Sequence, residues 1–268
     1  MSGAARRPGG DGVPVLFAVP AALAVGFLAL PLVGLLGRAP WGSLAGQLAA
    51  PRVREALRLS LECSLGAVAV SLLLGVPLAW LLARVAFPGR NLVRAMVTLP
   101  MVLPPVVGGV ALLLAFGRRG LLGQWLDRAF GISLPFTTAG AVLAEAFVAM
   151  PFLVITTEAA LRAMDRRFED AAATLGAGRW TTFRRVTLPL IAPSLGAGAA
   201  LCWARALGEF GATITFAGNL PGVTQTMPLA VYLALEDDLA AAIALSLVLL
   251  AVSLAVLIAL RDRWFPTA

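Results

Sequence analysis

The sequence predicts an all-α, polytopic membrane protein with six transmembrane helices. Sixty per cent of the 268 residues are apolar and only 13 per cent are charged. Several apolar runs approach or exceed the roughly 20 residues with which a helix crosses a bilayer. In hydrocarbon a backbone must satisfy its own hydrogen bonds, which favours helices for these runs.

Six apolar runs define the expected spans. Residues 1–12 are polar and glycine-rich and read as a cytoplasmic tail. The run over 13–36 is too long for the apolar region of a signal peptide, so we interpret it as an uncleaved first transmembrane helix. Five further spans follow, with a long loop at 162–189 that we expect to be cytoplasmic, and a second cytoplasmic tail covers 263–268. The five spans are expected at 59–82, 95–116, 139–156, 190–215 and 239–260.

The arginine distribution predicts the orientation. All 21 basic residues are arginines, and the net charge is +7. With the N-terminus inside, thirteen arginines fall in inner segments and seven in outer ones, while Arg205 lies within a span. This bias favours a multi-pass membrane protein with both termini in the cytoplasm. Because the arginines lie in short loops, the basic charge indicates membrane orientation and not nucleic-acid binding.

Missing residue types exclude several chemistries. Without lysine the chain has no P-loop, so it does not bind ATP in that way. Without histidine it has no histidine-ligated zinc and no histidine base. Cys63 and Cys202 lie in apolar spans, where small buried thiols are expected. We therefore expect no catalytic residues, no metal site and no cofactor bound by this chain.

The loop at 162–189 is the longest polar insertion. It predicts two short amphipathic helices, separated by Gly176 and Gly178, with the second helix ending before Pro189. The apolar residues of each helix share one face: Phe168, Ala172 and Leu175 in the first, and Trp180, Phe183 and Val186 or Thr187 in the second. Such a loop is typical of a docking surface for a soluble partner. A simple solvated helix-turn-helix is the alternative.

The spacing within this loop resembles the "EAA" loop of permease subunits of binding-protein-dependent ABC importers. An acidic residue, Ala-Ala, Gly, an aliphatic residue and Leu-Pro recur at the family's intervals, at Asp170, Ala171, Ala172, Gly176, Val186, Leu188 and Pro189. The family usually has Glu where this chain has Asp170, and Glu169 precedes it. The resemblance implies that the loop contacts an ATPase subunit. The candidate coupling residues are Glu169, Asp170, Ala171, Ala172, Gly176, Trp180, Phe183, Arg184, Val186, Leu188 and Pro189.

Two spans contain residues that could line a translocation path. The third is rich in proline and glycine, which predicts a broken helix whose freed backbone groups face a cavity, with a packing kink as the alternative. In the fifth, Arg205 and Glu209 can pair at i and i+4, as a functional charge or as a self-neutralising structural pair. Small and hydroxyl-bearing residues beyond them can hold an oxyanion weakly. The candidate path comprises Pro104, Pro105, Gly108, Arg205, Glu209, Gly211, Thr213, Thr215 and Asn219.

Two acidic residues of the fourth span require partners. We expect Glu158 to pair with Arg162 at i+4 or to reach the interface. Glu145 lies deeper, where it could cap a helix break or pair with an arginine, and proton coupling is the less favoured alternative.

The stretch LGEFGATITFAGNLPGVTQTMPLAVY is similar to the corresponding stretch of molybdate importer permeases, and sulfate permeases resemble it less closely. The resemblance covers roughly residues 55–262, a core permease domain of five spans, and the first span lies outside it. It implies the type I ABC importer permease fold in the plasma membrane, working by alternating access as a homodimer. It further implies two ATPase subunits that bind the ATP and an extracytoplasmic molybdate-binding protein, with molybdate or tungstate as the ligand. A sulfate or thiosulfate importer permease is one alternative. An intramembrane enzyme or an assembly scaffold is the other.

Overall fold

The computed structural model describes residues 15–264, and this range contains helices and no strands. The predicted tail 1–12 lies outside the described residues, as does the predicted tail 263–268 beyond residue 264. The helices are α1 (Val15–Gly37), α2 (Leu44–Leu48), α3 (Pro51–Arg84), α4 (Arg90–Val102), α5 (Pro105–Phe116), α6 (Gly123–Phe130), α7 (Thr138–Ala163), α8 (Arg167–Thr174), α9 (Arg179–Thr182), α10 (Leu188–Leu207), α11 (Gly211–Ala217), α12 (Met227–Asp237) and α13 (Leu239–Trp264). A π-helical turn, Phe183–Thr187, joins α9 to α10.

The core is formed where α3, α7 and α10 pack together. Small residues let these backbones approach closely, as is usual between membrane helices. One cluster contains Ala67 of α3, Ala146 and Ala149 of α7, and Cys202 and Ala206 of α10. The other cysteine, Cys63, is also buried and free, as the sequence predicts.

Within residues 15–264, four helical segments are long and apolar enough to cross a membrane: Leu16–Gly37, Pro51–Arg84, Thr138–Ala163 and Arg179–Leu207. Two shorter apolar segments, Pro105–Phe116 and Leu239–Ala255, add to these. The all-α prediction is confirmed. The count of six spans stays a prediction, since helix length supports four of them directly.

The third span is divided, as its prolines predict. It is not one helix over 95–116, because α4 ends at Val102 and α5 begins at Pro105. Leu103 and Pro104 between them are extended, with ψ of 131° at both residues. A residue before proline avoids the helical region, and proline itself donates no backbone hydrogen bond, so consecutive prolines at 104 and 105 interrupt the helix.

The fifth span differs from its prediction at its outer end. A single helix reaching residue 215 is wrong, because α10 ends at Leu207 and α11 begins at Gly211. The apolar run continues through the break, so hydropathy does not reveal it. The interruption is stabilised by Glu209, whose Oε1 accepts the N–H of Ala212 at 2.8 Å and so caps α11.

The same span also differs at its inner end. The second loop helix does not end before Pro189, since α9, the π-turn and α10 form one continuous segment, Arg179–Leu207. In the π-turn the N–H of Leu188 bonds to the carbonyl of Phe183, one residue further back than in an α-helix. This wider turn accommodates Pro189, which cannot donate a hydrogen bond of its own.

Candidate functional site

The loop between α7 and α10 reverses direction at Gly176. Gly176 has φ of +81°, the left-handed region that favours glycine. Its N–H bonds to the carbonyl of Ala173, and the N–H of Ala177 bonds to the carbonyl of Ala172, each at 3.0 Å. This is the Schellman arrangement that closes a helix C-terminus, here that of α8. Gly178, with φ of −67°, is the extended N-cap residue before α9 and does not need this conformation.

Helix α8 presents apolar side chains to its surroundings. Phe168 and Leu175 are exposed, Leu175 at 89%, although both lie in a polar loop. Exposed large apolar side chains in such a place mark an interaction surface. Asp170 and Ala171 are also exposed on this helix, and Ala172 is half-buried.

Glu169 is not a free surface acid. Its Oε1 accepts the hydroxyl of Thr187 at 2.8 Å, and its Oε2 lies 3.1 Å from Nε of Arg84. Arg84 is the last residue of α3 and its side chain is only 8% exposed. Glu169 therefore connects α8 to α3 through Arg84, and connects α8 to the π-turn that precedes α10 through Thr187.

The remaining candidate coupling residues lie on the far arm of the loop. Trp180 and Phe183 stack with ring centroids 5.8 Å apart. Arg184 is exposed and Val186 half-buried on the π-turn, while Leu188 and Pro189 begin α10. The structure thus divides the candidate residues between α8 and the helix that enters the membrane.

The two broken spans meet at their breaks. Helices α5 and α11 pack so closely that a Cβ on Gly109 would lie 2.5 Å from Cβ of Thr215. A Cβ on Gly211 would lie 2.8 Å from Cβ of Pro105. The candidate path residues Pro105 and Gly211 therefore stand side by side at the start of their helices. Gly109 was not among the predicted residues, although its neighbour Gly108 was.

Arg205 and Glu209 form an ion pair at this junction. Nη1 of Arg205 lies 2.7 Å from Oε2 of Glu209. The Glu209 side chain is 1% exposed, whereas that of Arg205 is 30% exposed. The other Glu209 oxygen caps α11, so both carboxylate oxygens have partners. The Arg205 guanidinium is the more exposed member of the pair.

The other candidate path residues are dispersed. Thr213 is buried, and its hydroxyl has no hydrogen-bond partner within residues 15–264. The hydroxyl of Thr215 donates to the carbonyl of Gly211, and Asn219 accepts a hydrogen bond from Gln225 beyond α11. Gly108 is buried, and Pro104 is exposed at the break of the third span. These residues do not converge on one site within the single chain.

The acidic residues of α7 have different surroundings. Glu158 pairs with Arg162 at 3.0 Å, as expected, and also with Arg94 at 2.7 Å. Glu145 is 1% exposed, and its Oε2 has no partner in the described part of the chain. Its neighbour on one side, Ala144, packs against α11, and its neighbour on the other side, Ala146, packs against α10. Glu145 thus lies level with the break, but Glu209 supplies the cap.

Residues 75–265 match the family profile described as "Binding-protein-dependent transport system inner membrane component". The chain belongs to this family. The permease is accordingly a membrane-embedded transport subunit and not an enzyme.

The permease has close relatives with assigned substrates. It is 46% identical over 245 residues to the "Molybdenum transport system permease protein ModB" of Mycobacterium tuberculosis, over 91% of this chain and 92% of the relative. Identity is 45% over 210 residues to the protein of the same name from Escherichia coli K12, over 78% and 92%. The "Sulfate transport system permease protein CysT" of Escherichia coli K12 is 38% identical over 238 residues, over 87% and 86%.

A solved structure shares the permease's fold. It is described as a bacterial ABC transporter involved in the import of the acidic polysaccharide alginate, and the TM-score is 0.71 at 20% identity, over 93% of this chain and 94% of the other. This agreement confirms the ABC importer permease fold.

Proposed function

We propose that the permease moves molybdate across the plasma membrane as part of an ATP-driven importer. The carrying observation is the 46% identity, over nine-tenths of both chains, to a molybdenum transport permease. The sulfate permease is more distant, at 38%. Tungstate is a second candidate ligand, because it is also a tetrahedral dianion.

The proposed assembly contains two copies of this chain, two ATPase subunits and an extracytoplasmic molybdate-binding protein. ATP is bound by the ATPase subunits and not by this chain. The exposed apolar face of α8, with Phe168 and Leu175, supports docking of a soluble subunit. The arginine distribution supports a cytoplasmic location for this loop and for both termini.

Movement of α8 would be transmitted to the membrane helices α3 and α10 through two side-chain contacts. Glu169 joins α8 to Arg84 at the end of α3. Thr187 joins the same carboxylate to the helix that continues to Leu207. Closure of the ATPase subunits would therefore move α3 and α10 together, and the spans would alternate between inward-open and outward-open arrangements.

The chemistry of the proposed path favours weak binding. Arg205 offers a partly exposed guanidinium, but Glu209 neutralises most of its charge at 2.7 Å. An anion there would be attracted without being held tightly, as conduction requires. Selection of molybdate would therefore reside mainly in the binding protein, and this chain would add little selectivity of its own.

Uptake by reconstituted vesicles tests the proposal. Vesicles with the permease and its ATPase should accumulate molybdate only with ATP and the molybdate-binding protein, and excess sulfate should not compete. An ATPase variant that cannot hydrolyse ATP is the control. Equal transport of sulfate with the same binding protein would favour the sulfate alternative, and absence of any oxyanion transport would refute the assignment.

A further inference from the structure

Two adjoining cavities of different chemistry lie between α3 and the segment formed by α9 and the π-turn. The first, which we call the apolar groove, has a volume of 530 Å³. One wall is a stripe of α3 that includes Leu72, Val76 and Trp80, and the other is the stacked pair Trp180 and Phe183. The exposure of Trp180, at 70%, shows that the groove lacks a cover within the described chain.

The second cavity, which we call the basic pocket, has a volume of 610 Å³ and shares Trp80, Arg179 and Phe183 with the groove. Its charged residues are three arginines and two acids: Arg84, Arg166, Arg179, Glu169 and Asp170. Arg84 and Glu169 pair with each other. Arg166 and Arg179 make no ion pair within residues 15–264, so with the exposed Asp170 they leave an excess positive charge.

The depth of the groove restricts what can fill it. Leu72 lies twelve residues before Arg84, where α3 ends, which places it about 18 Å along the helix from that end. A soluble ATPase subunit docked on the loop cannot enter the hydrocarbon to that depth. The indole of Trp80 lines both cavities, and the indole of Trp180 lines the groove; aromatic side chains favour such a position at a membrane interface.

We propose that an anionic phospholipid occupies both cavities. An acyl chain fills the apolar groove, and the phosphate lies at Arg179 and Arg166, because guanidinium groups bind phosphate oxygens through charge-assisted hydrogen bonds. Basic pockets beside membrane helices are suited to such headgroups. A second copy of the chain is the competing occupant, but an apolar helix would leave the two arginines without an anion.

The bound lipid would brace the loop against α3. Trp180 and Phe183 belong to the segment that leads from α8 into α10, so a lipid packed between them and α3 restrains that segment. We therefore expect anionic lipid to raise the number of molybdate ions transported per ATP hydrolysed. This effect on transport rests on the proposed function, whereas lipid binding itself does not.

The test uses the permease–ATPase complex in nanodiscs of phosphatidylcholine with or without phosphatidylglycerol. Retention of phosphatidylglycerol is measured by native mass spectrometry, and quenching of tryptophan fluorescence by phosphatidylglycerol with brominated acyl chains reports the groove. The double variant Arg166→Gln/Arg179→Gln removes the proposed phosphate ligands. The matched control is Arg185→Gln, which removes an exposed arginine of the same loop that lines neither cavity.

We expect the double variant to retain several-fold less phosphatidylglycerol than the wild type, and Arg185→Gln to retain the wild-type amount. Brominated phosphatidylglycerol should quench more strongly than brominated phosphatidylcholine, and the excess should fall in Trp180→Phe and disappear when Trp80→Phe is added, because both indoles line the groove. Equal retention by the double variant and the control would overturn the proposal, as would equal quenching by the two lipids. A disulfide between copies that each carry Val76→Cys would show that a second copy fills the groove. Failure of molybdate uptake with normal lipid retention would count against the proposed function alone.

Discussion

The close contact between α5 and α11 gives a sharp prediction for Gly109→Ala. The new Cβ would lie 2.5 Å from Cβ of Thr215 and 2.9 Å from the carbonyl oxygen of Ala212. Carbon atoms pack at about 3.5–4.0 Å, so the two helices would have to separate by about 1 Å. Overpacking of this kind costs about 1–3 kcal/mol. Neither obstacle is the end of a flexible side chain, so little of that cost can be relieved locally.

The adjacent glycine provides a matched control. A Cβ on Gly108 would lie 3.2 Å from Cε1 of Phe147, the edge of a ring that can turn aside. Gly108→Ala should therefore cost much less than Gly109→Ala, although both substitutions add one methyl group to the same buried stretch of α5.

Unfolding of the purified permease in mixed micelles, titrated with sodium dodecyl sulfate, measures the difference. We expect the free energy of unfolding to fall by about 1–3 kcal/mol in Gly109→Ala and by a clearly smaller amount in Gly108→Ala. Equal losses in the two variants, or a larger loss in Gly108→Ala, would refute the close contact between the two broken spans.

Three further predictions concern the loop, the break and the topology. Gly176→Val should lower the number of molybdate ions transported per ATP hydrolysed, because φ of +81° strains a β-branched residue. Gly176→Asn should retain most of this coupling, and equal coupling in the two variants would contradict the prediction. Glu209→Gln keeps an oxygen to cap Ala212 and loses only the charge, so vesicle uptake should fall less than in Glu209→Leu, and the reverse order would count against the cap. Single cysteines replacing Trp180 and Asp237 should react with an impermeant maleimide from opposite sides, and reaction from one side would overturn the topology.

Apolar runs predicted the long helices well, because a segment in hydrocarbon must satisfy its backbone hydrogen bonds within itself and therefore forms a helix. Their bounds were less accurate, since helices continue past the apolar part. Helix α3 begins at Pro51, eight residues before the predicted start, and its first turns carry Arg52, Arg54 and Arg58. Such residues lower the hydropathy of a window without preventing a helix.

The breaks show what local sequence can and cannot predict. The consecutive prolines at 104 and 105 directly predict the break between α4 and α5. The break after Leu207 depends on the contact of Glu209 with Ala212, which an apolar run does not disclose. Helix α12 was missed because its 11 residues are too few for a span, although Pro228 in its first turn, ahead of an apolar run, is a usual start signal.

The candidate coupling site was predicted only in outline. The spacing from Asp170 to Pro189 indicates a loop, and Gly176 indicates its turn. The sequence could not show that Glu169 points inward, because its partner Arg84 lies 85 residues earlier in the chain. It also could not show that the helix continues through Pro189 by way of a π-turn, since a proline after a short helix normally marks the end of that helix.

The continuity of the segment from Arg179 to Leu207 has a mechanical consequence. Its 29 residues form a rod about 43 Å long, with one end in the loop and the other at the Arg205–Glu209 junction. A tilt of about 10° around the loop end displaces the far end by about 7 Å, as follows from that length. If the helix had ended before Pro189, a tilt of the loop could have been taken up by bending at that end, without moving α10. If the segment moves as one body, a small rotation at the loop therefore becomes a displacement of several ångström at the Arg205–Glu209 junction.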